Sequence, residues 1–321
     1  MNTNKAKLPT YGGQALIEGV LMRGSSYVAA AFRTPQGEIA LQSEKLSGIY
    51  SSRIRSIPFL RGLIILWDAL GLGVRYLTIS ANIQSGEDER IEGPTLYLTL
   101  GVSLSLSILL FFLAPATIGH LGERYLGISN WMSNLIEGIV RLMIVILYIW
   151  VIGRMPEIKR VFQYHGAEHK TINAFEAGAE LTPDTVMNYP LEHPRCGTGF
   201  LLTLVVFSIL LFSALGPLPV ALRLGSRILL LPVLAMVAYE YIRFTASRLN
   251  MPLVRALIWP NLALQRLTTV EPDRTIVEVS IAAFNHLFAL EQGKNELPSE
   301  KLIPLPNKQP VSTEEVEYQR Q

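Results

Sequence analysis

The chain has a single cysteine, Cys196, in 321 residues. One thiol excludes an intramolecular disulfide and suits a reducing, cytosol-facing location. Histidine is also scarce, with five in all, too few for the di-iron site of a histidine-box lipid desaturase or hydroxylase. Charged residues make up only 17% of the chain and the net charge is +2. Such a balance creates no strong field, so no nucleic-acid partner is expected. The start is basic and polar, and its first apolar run, residues 27–32, is too short for a signal peptide. What abounds is apolar residues, 50% of the total, with a mean hydropathy of +0.32. That exceeds an ordinary soluble domain of this length, and it predicts membrane insertion through internal segments.

Four stretches approach the roughly 20 apolar residues that a bilayer crossing requires: about 97–119, 135–153, 199–216 and 220–241. The last two are joined by Gly216-Pro-Leu-Pro219 and read as a helical hairpin. Positive residues set the orientation. The 120–134 loop holds only Arg124, whereas 154–198 carries Arg154, Lys159, Arg160, Lys170 and Arg195. Arg243, Arg248, Arg255 and Arg266 follow the fourth stretch. This pattern puts both termini and the 154–198 loop in the cytosol, with the chain integral to the cytoplasmic membrane and the bilayer as its partner. Arg223 and Arg227, near the second outer turn, count mildly against it. Glu137 and Arg141, one turn apart in the second stretch, read as a buried structural ion pair.

The predicted fold class is mainly α: a polytopic helical membrane protein of about four spans, with an interfacial helix and a small N-terminal β-hairpin. Residues 1–10 read as a disordered leader, and 11–95 as a cytosolic N-terminal segment. Residues 96–245 form the membrane region, 246–292 a cytosolic C-terminal segment, and 293–321 a polar, proline-containing disordered tail. Within 11–24, a glycine-rich run, Gln14 and Glu18 would share a face if the centre were helical. The hairpin is expected where two extended runs flank Thr34-Pro-Gln-Gly37. From Pro58 to about 83, Arg61, Asp68 and Arg75 recur every seven residues, tracing one polar stripe on an interfacial or bundle-packed helix with Pro58 in its first turn. Residues 84–94 are a polar, acidic break, and Pro252 and Pro260 interrupt the chain after the fourth stretch. An amphipathic helix is expected over 273–291, with Pro272 just before it. No internal repeat is visible.

The chemistry concentrates in Tyr164-His165-Gly166-Ala167-Glu168-His169-Lys170-Thr171. Two histidines four apart on a helix project from one face, one turn apart, and can reach one metal ion. The order His-x-x-Glu-His is the inverted zincin pattern, in which Glu168 is the general base. The plainer alternative is a pair of surface histidines on a juxtamembrane helix. A catalytic zinc takes three protein ligands and water. Glu240 is the first choice for the third ligand and His193 the second, with Cys196 and Glu18 also open. Each has a plainer reading too: Glu240 could snorkel or pair with Arg243, His193 could hold a loop, and Cys196 could be a small buried hydrophobe. His120 and His286 are placed elsewhere. Arg195 or Lys170 could stabilise developing negative charge.

These residues predict a metal-dependent hydrolase, with a divalent metal, zinc by preference, and a substrate or protein partner that the sequence leaves open. A second enzyme reading makes Cys196 a nucleophile at a helix N-terminus, with His165 or His193 as base. A third is a non-catalytic membrane scaffold. Transport has little support, since the four stretches hold few polar residues and show no paired broken helices.

Three motifs carry a family resemblance: the segment from Tyr11 to Gly24, Phe162-Gln-Tyr-His-Gly-Ala-Glu-His-Lys-Thr-Ile-Asn173, and His193-Pro-Arg-Cys-Gly-Thr198. Tyr239-Glu240, Gln265-Arg-Leu-Thr-Thr269 and Glu271-Pro272 extend it. The chain resembles, from about residue 11 to 283, the YqhQ-like family of bacterial membrane proteins, a family of unknown function. The resemblance implies a metal-dependent enzyme, and it adds Gln265, Arg266 and Glu18 to the candidates for one site.

Overall fold

The computed structural model describes residues 11–46, 57–85, 93–216 and 218–293. The expected leader and nearly all of the expected tail lie outside them. Four strands, β1 (Gly12–Leu16), β2 (Gly19–Arg23), β3 (Tyr27–Arg33) and β4 (Ile39–Lys45), form an antiparallel meander in sequence order. The expected hairpin is there as β3 and β4. Thr34 N–H donates to Glu38 O at 2.9 Å, and Gly37 sits at φ +88°, a conformation that suits a residue without Cβ. The helical reading of 11–24 is corrected: this run is strand, turn, strand. Leu16 pairs with Gly19 across the two-residue turn Ile17–Glu18, so Gln14 and Glu18 share no helical face.

A lone hairpin is marginal in water; this sheet is buried on both sides. Helix α1 (Leu60–Gln84) covers one face, where Leu72 and Tyr76 meet Leu16, Leu21, Val28, Ala30 and Phe32. Helices α5 (Pro156–Glu176) and α11 (Arg274–Glu291) cover the other, where Tyr164, Ile172, Ile276, Phe284 and Leu287 meet Val20, Met22, Ala29, Ala31 and Leu41. Burying each large side chain here contributes about 1.5–3 kcal/mol. The α11 expectation holds, with Asp273 capping its start by accepting from Ile276 N–H at 2.9 Å.

The remaining helices are α2 (Gly93–Ile108), α3 (Ala114–Leu126), α4 (Asn130–Ile152), the single turn α6 (Pro183–Val186), α7 (Gly197–Ala214), α8 (Val220–Leu229), α9 (Leu231–Ala246) and α10 (Pro252–Gln265). Three units are long and apolar enough to cross a membrane: α2 with α3, through a π-helical turn at Leu109–Leu113, then α4 and α7. The fourth expected stretch is two helices, α8 and α9, meeting at 45°, with Pro232 in the first turn of α9. The chain breaks before Pro252 as expected, between α9 and α10, but Pro260 does not interrupt it. Pro252 opens α10, and Pro260 lies inside it.

The Glu137–Arg141 pair is buried and structural, as the sequence suggested, but it is one part of a larger network. Arg141 Nη2 donates to Glu137 Oε1 at 2.8 Å, and Arg227 Nη2 donates to Glu137 Oε2 at 2.7 Å. Arg223 lies 3.8 Å from the same carboxylate and pairs with Glu123 at 2.5 Å. Arg141 Nε donates to Phe111 O at 2.9 Å. That carbonyl belongs to the π turn, where the ordinary helical ladder is interrupted. Both arginines of α1 are paired as well: Arg61 with Glu240 of α9, and Arg75 with Glu44 of β4 at 2.8 Å. The α1 helix is therefore packed against both the sheet and α9, and Gly62 permits the close approach to Met236 and Tyr239.

Candidate metal centre

Helix α5 opens on Pro156 with Glu157 in its first turn, both suited to a helix start. Its middle carries His165, Glu168 and His169. Gly166 lets a neighbouring segment lie flat on the helix: a Cβ there would stand 2.4 Å from Val270 O. Val270 N–H donates to Phe162 O at 3.0 Å, which holds the 268–270 segment along α5. In consequence Thr268 O faces His165 Nδ1 at 2.8 Å. Leu191 O faces His169 Nδ1 in the same way. A carbonyl only accepts, so both Nδ1 atoms carry their protons, and both Nε2 atoms are turned away from those carbonyls. The ring centroids are 4.4 Å apart.

Cys196 closes the group. It caps the N-terminus of α7, accepting from Thr198 N–H at 3.4 Å. Its Sγ is 3.2 Å from His165 Nε2. Ligand atoms of His165, His169 and Cys196 all lie within 4.8 Å of one another. This donor set fits a borderline-soft divalent metal: two imidazoles with oriented Nε2 atoms and one sulfur at a helix N-terminus.

Glu168 is 4% exposed, and its Oε2 is 3.5 Å from His169 Nε2. Burial raises its carboxyl above the ordinary carboxylate range, against the opposing pull of His165, His193, Arg195 and a hydrogen bond from the Gly13 backbone. Gly13 lies flush against it, and a Cβ there would meet Glu168 Cγ at 2.7 Å.

The other candidates are placed elsewhere. Glu240, the first choice for third ligand, is not in the group: its carboxylate takes Arg61 Nε at 2.6 Å and Phe59 N–H at 3.0 Å. The packing of α1 on α9 decides this. Glu18, in the β1–β2 turn, accepts from Arg160 Nη2 at 2.7 Å and from Tyr164 Oη at 3.1 Å. His193 is close, its ring centroid 5.7 Å from that of His169, but its Nε2 faces Glu176 Oε2 at 3.7 Å. Arg195 pairs with Glu176. Burial would raise the Glu176 carboxyl, yet the neighbouring His193 and Arg195 carry it below the usual range. Lys170 is buried and held by Met187 O, Tyr189 O and Glu271. Gln265 does reach the centre, through the main chain: its Oε1 accepts from His193 N–H and its Nε2 donates to His193 O, both at 2.9 Å. Arg266 turns to Glu192. His120, on α3, and His286, bonded to Ser43 at 2.9 Å, stand apart as expected. Sequence reasoning missed Gly13, Gly166, Thr268 and Leu191, because glycine spacing and main-chain carbonyls leave no chemical signature in a motif.

Residues 57–290 match a family described as "Protein of unknown function (DUF1385)". The chain is also 34% identical over 314 residues to the "Uncharacterized protein YqhQ" of Bacillus subtilis (strain 168), an alignment covering 92% of this chain and 98% of that protein. No solved structure matches.

Proposed function

The chain belongs to the DUF1385 family of proteins of unknown function, and from that premise we propose that it is a membrane-spanning, metal-dependent hydrolase whose centre faces the cytosol. His165, His169 and Cys196 hold one divalent cation, with zinc the best match to two nitrogens and a sulfur. The observation that carries the reading is the convergence of those three donors within 4.8 Å, with both imidazoles oriented from behind by main-chain carbonyls. Such a cation supplies Lewis acidity and brings a water's pKa toward neutrality. Glu168 takes the proton of the attacking water, and the burial that raises its carboxyl pKa favours its holding that proton. As the water oxygen bonds to the acyl carbon, the bond to the leaving group breaks and that proton passes to it. Arg195 contributes positive charge at the rim.

Metal analysis of the purified protein tests this. Wild type is expected to carry about one zinc per chain, and His165→Ala, His169→Ala and Cys196→Ser to carry little. Equal zinc in all four proteins sinks the reading.

One observation favours a thiol enzyme instead: the 3.2 Å approach of Cys196 Sγ to His165 Nε2 at the start of α7. Alkylation separates the two. A metal ligand is alkylated slowly until a chelator strips the ion, whereas a free Cys–His pair is alkylated fast with or without chelator. In a scaffold the three groups would serve only structure. His165→Ala or Glu168→Gln chains at normal membrane abundance would then keep their phenotype.

A further inference from the structure

We infer that the substrate of this centre is an extended polypeptide, which adds as a fifth strand along the open edge of β1. The inference rests on the hydrolase reading and names its substrate class.

Strand β1 is an edge of the sheet, paired only with β2 among the described residues. A two-residue turn makes its closing pair a hydrogen-bonded one. Leu16, Gln14 and Gly12 therefore direct their main-chain groups to β2, across from Gly19, Leu21 and Arg23. The alternate residues of β1, Gly13 and Ala15, direct theirs outward. Gly12 and Gly13 are exposed, in contrast to the buried run Val28–Phe32 of β3. Exposed edges are ordinarily blunted by charge or proline. At the opposite edge β4 carries Glu44 and Lys45, while Tyr11-Gly-Gly-Gln-Ala-Leu16 carries neither charge nor proline.

This unblunted edge lies beside the base. The Gly13 backbone lies against the Glu168 side chain: a Cβ at Gly13 would stand 2.7 Å from Glu168 Cγ and 2.8 Å from its Oε1. An antiparallel strand docked here would set one residue opposite Gly13, giving its N–H to Gly13 O and taking Gly13 N–H on its carbonyl. The Gly13 N–H then donates to that carbonyl and polarises the amide beside the Glu168 carboxylate. Water oxygen then bonds to the carbonyl carbon and the C–N bond breaks. The water proton travels through Glu168 to the departing amine. A lipid or sugar cannot use a strand edge in this way.

Binding of three probes to the zinc-loaded full chain in detergent micelles tests the inference. They are acetohydroxamate, a tetrapeptide hydroxamate, and the same tetrapeptide with its backbone nitrogens methylated. The peptide hydroxamate is expected to bind about 100-fold tighter than acetohydroxamate, and methylation to cost about tenfold or more, since it removes strand hydrogen bonds. Equal affinity for all three overturns the strand-edge inference and leaves the metal reading standing. If neither hydroxamate binds, the metal reading fails and the substrate inference goes with it.

Discussion

Cys196, not Glu240, completes the donor group because of contacts remote in sequence. Arg61 captures Glu240 from 179 positions away, and nothing in the local motif foretells that. The histidine pair itself was legible, since its spacing is set by helix geometry alone. Gln265 shows how the group is kept in place: it is 1% exposed and clamps both main-chain polar groups of His193, three positions before Cys196. Gln265→Ala leaves the His193 N–H without its partner, whereas His193 O keeps the 3.2 Å bond from Cys196 N–H; the cost is about 1–3 kcal/mol at most. It is expected to weaken zinc binding by about 10–100-fold, read by chelator competition, with full occupancy recovered in excess zinc. Unchanged affinity would show that the 193–196 turn holds itself. His286 allows a second residue-level prediction. Burial lowers its pKa below the ordinary 6.5, so the folded state favours the neutral ring. The unfolded chain then binds more protons in the window below 6.5, and the stabilisation present above it is lost as pH falls through that window. His286→Gln, which can keep a hydrogen bond to Ser43, is expected to flatten the decline in thermal stability between about pH 7 and 5. A decline as steep as in wild type would rule His286 out as its source.

Among the elements, β3 and β4 were legible because Pro-Gln-Gly is turn chemistry whatever surrounds it. The run from Tyr11 to Gly24 was not, because two polar residues four apart suit a helix face as well as a strand-turn-strand. Its register is settled by α1 and α5 closing on both faces, a tertiary effect. Helix α5 is similar: its histidines announce it, but its seat depends on Gly166, where a Cβ would be 2.4 Å from Val270 O and 2.8 Å from Leu191 Cδ2. Both neighbours belong to segments that orient the imidazoles. Gly166→Ala must displace them and is expected to cost about 1–3 kcal/mol and to lower zinc occupancy, although alanine is the better helix former. Thermal unfolding and metal content checked together would test this. A variant more stable than wild type with full zinc would mean that the 268–270 segment yields freely.

At the scale of the molecule, a sheet layer and a helical bundle meet where α5, α7 and the residues after α10 converge on His165, His169 and Cys196. The bundle's four apolar stretches could be read from composition. Its bend at α8–α9 and its charge network could not. Arg223 and Arg227 looked like outer-loop charges, yet both are buried against α4, with Arg227 bound to Glu137. Removing them from the count of loop charges strengthens the orientation rule. The 120–134 loop keeps only Arg124, against five basic residues in 154–198. The expectation is that the Gly127 region lies outside the cytoplasmic membrane and Gly178 inside. Alkaline phosphatase fused after Gly127 should be active and a fusion after Gly178 inactive, while a fluorescent protein that folds only in the cytosol should give the inverse pattern. The reverse result would put the histidines on the oxidising face, where a lone thiol ligand is exposed to oxidation and a cytosolic substrate cannot reach the edge of β1. The same network is costly to break. With three guanidiniums gathered around it, Glu137→Gln strands buried positive charge at a cost of about 3–5 kcal/mol. That variant should be scarce in membranes, whereas Glu168→Gln, which strands no buried partner charge, should accumulate normally. Equal abundance of the two would mean that the buried arginines find solvent or another counter-charge.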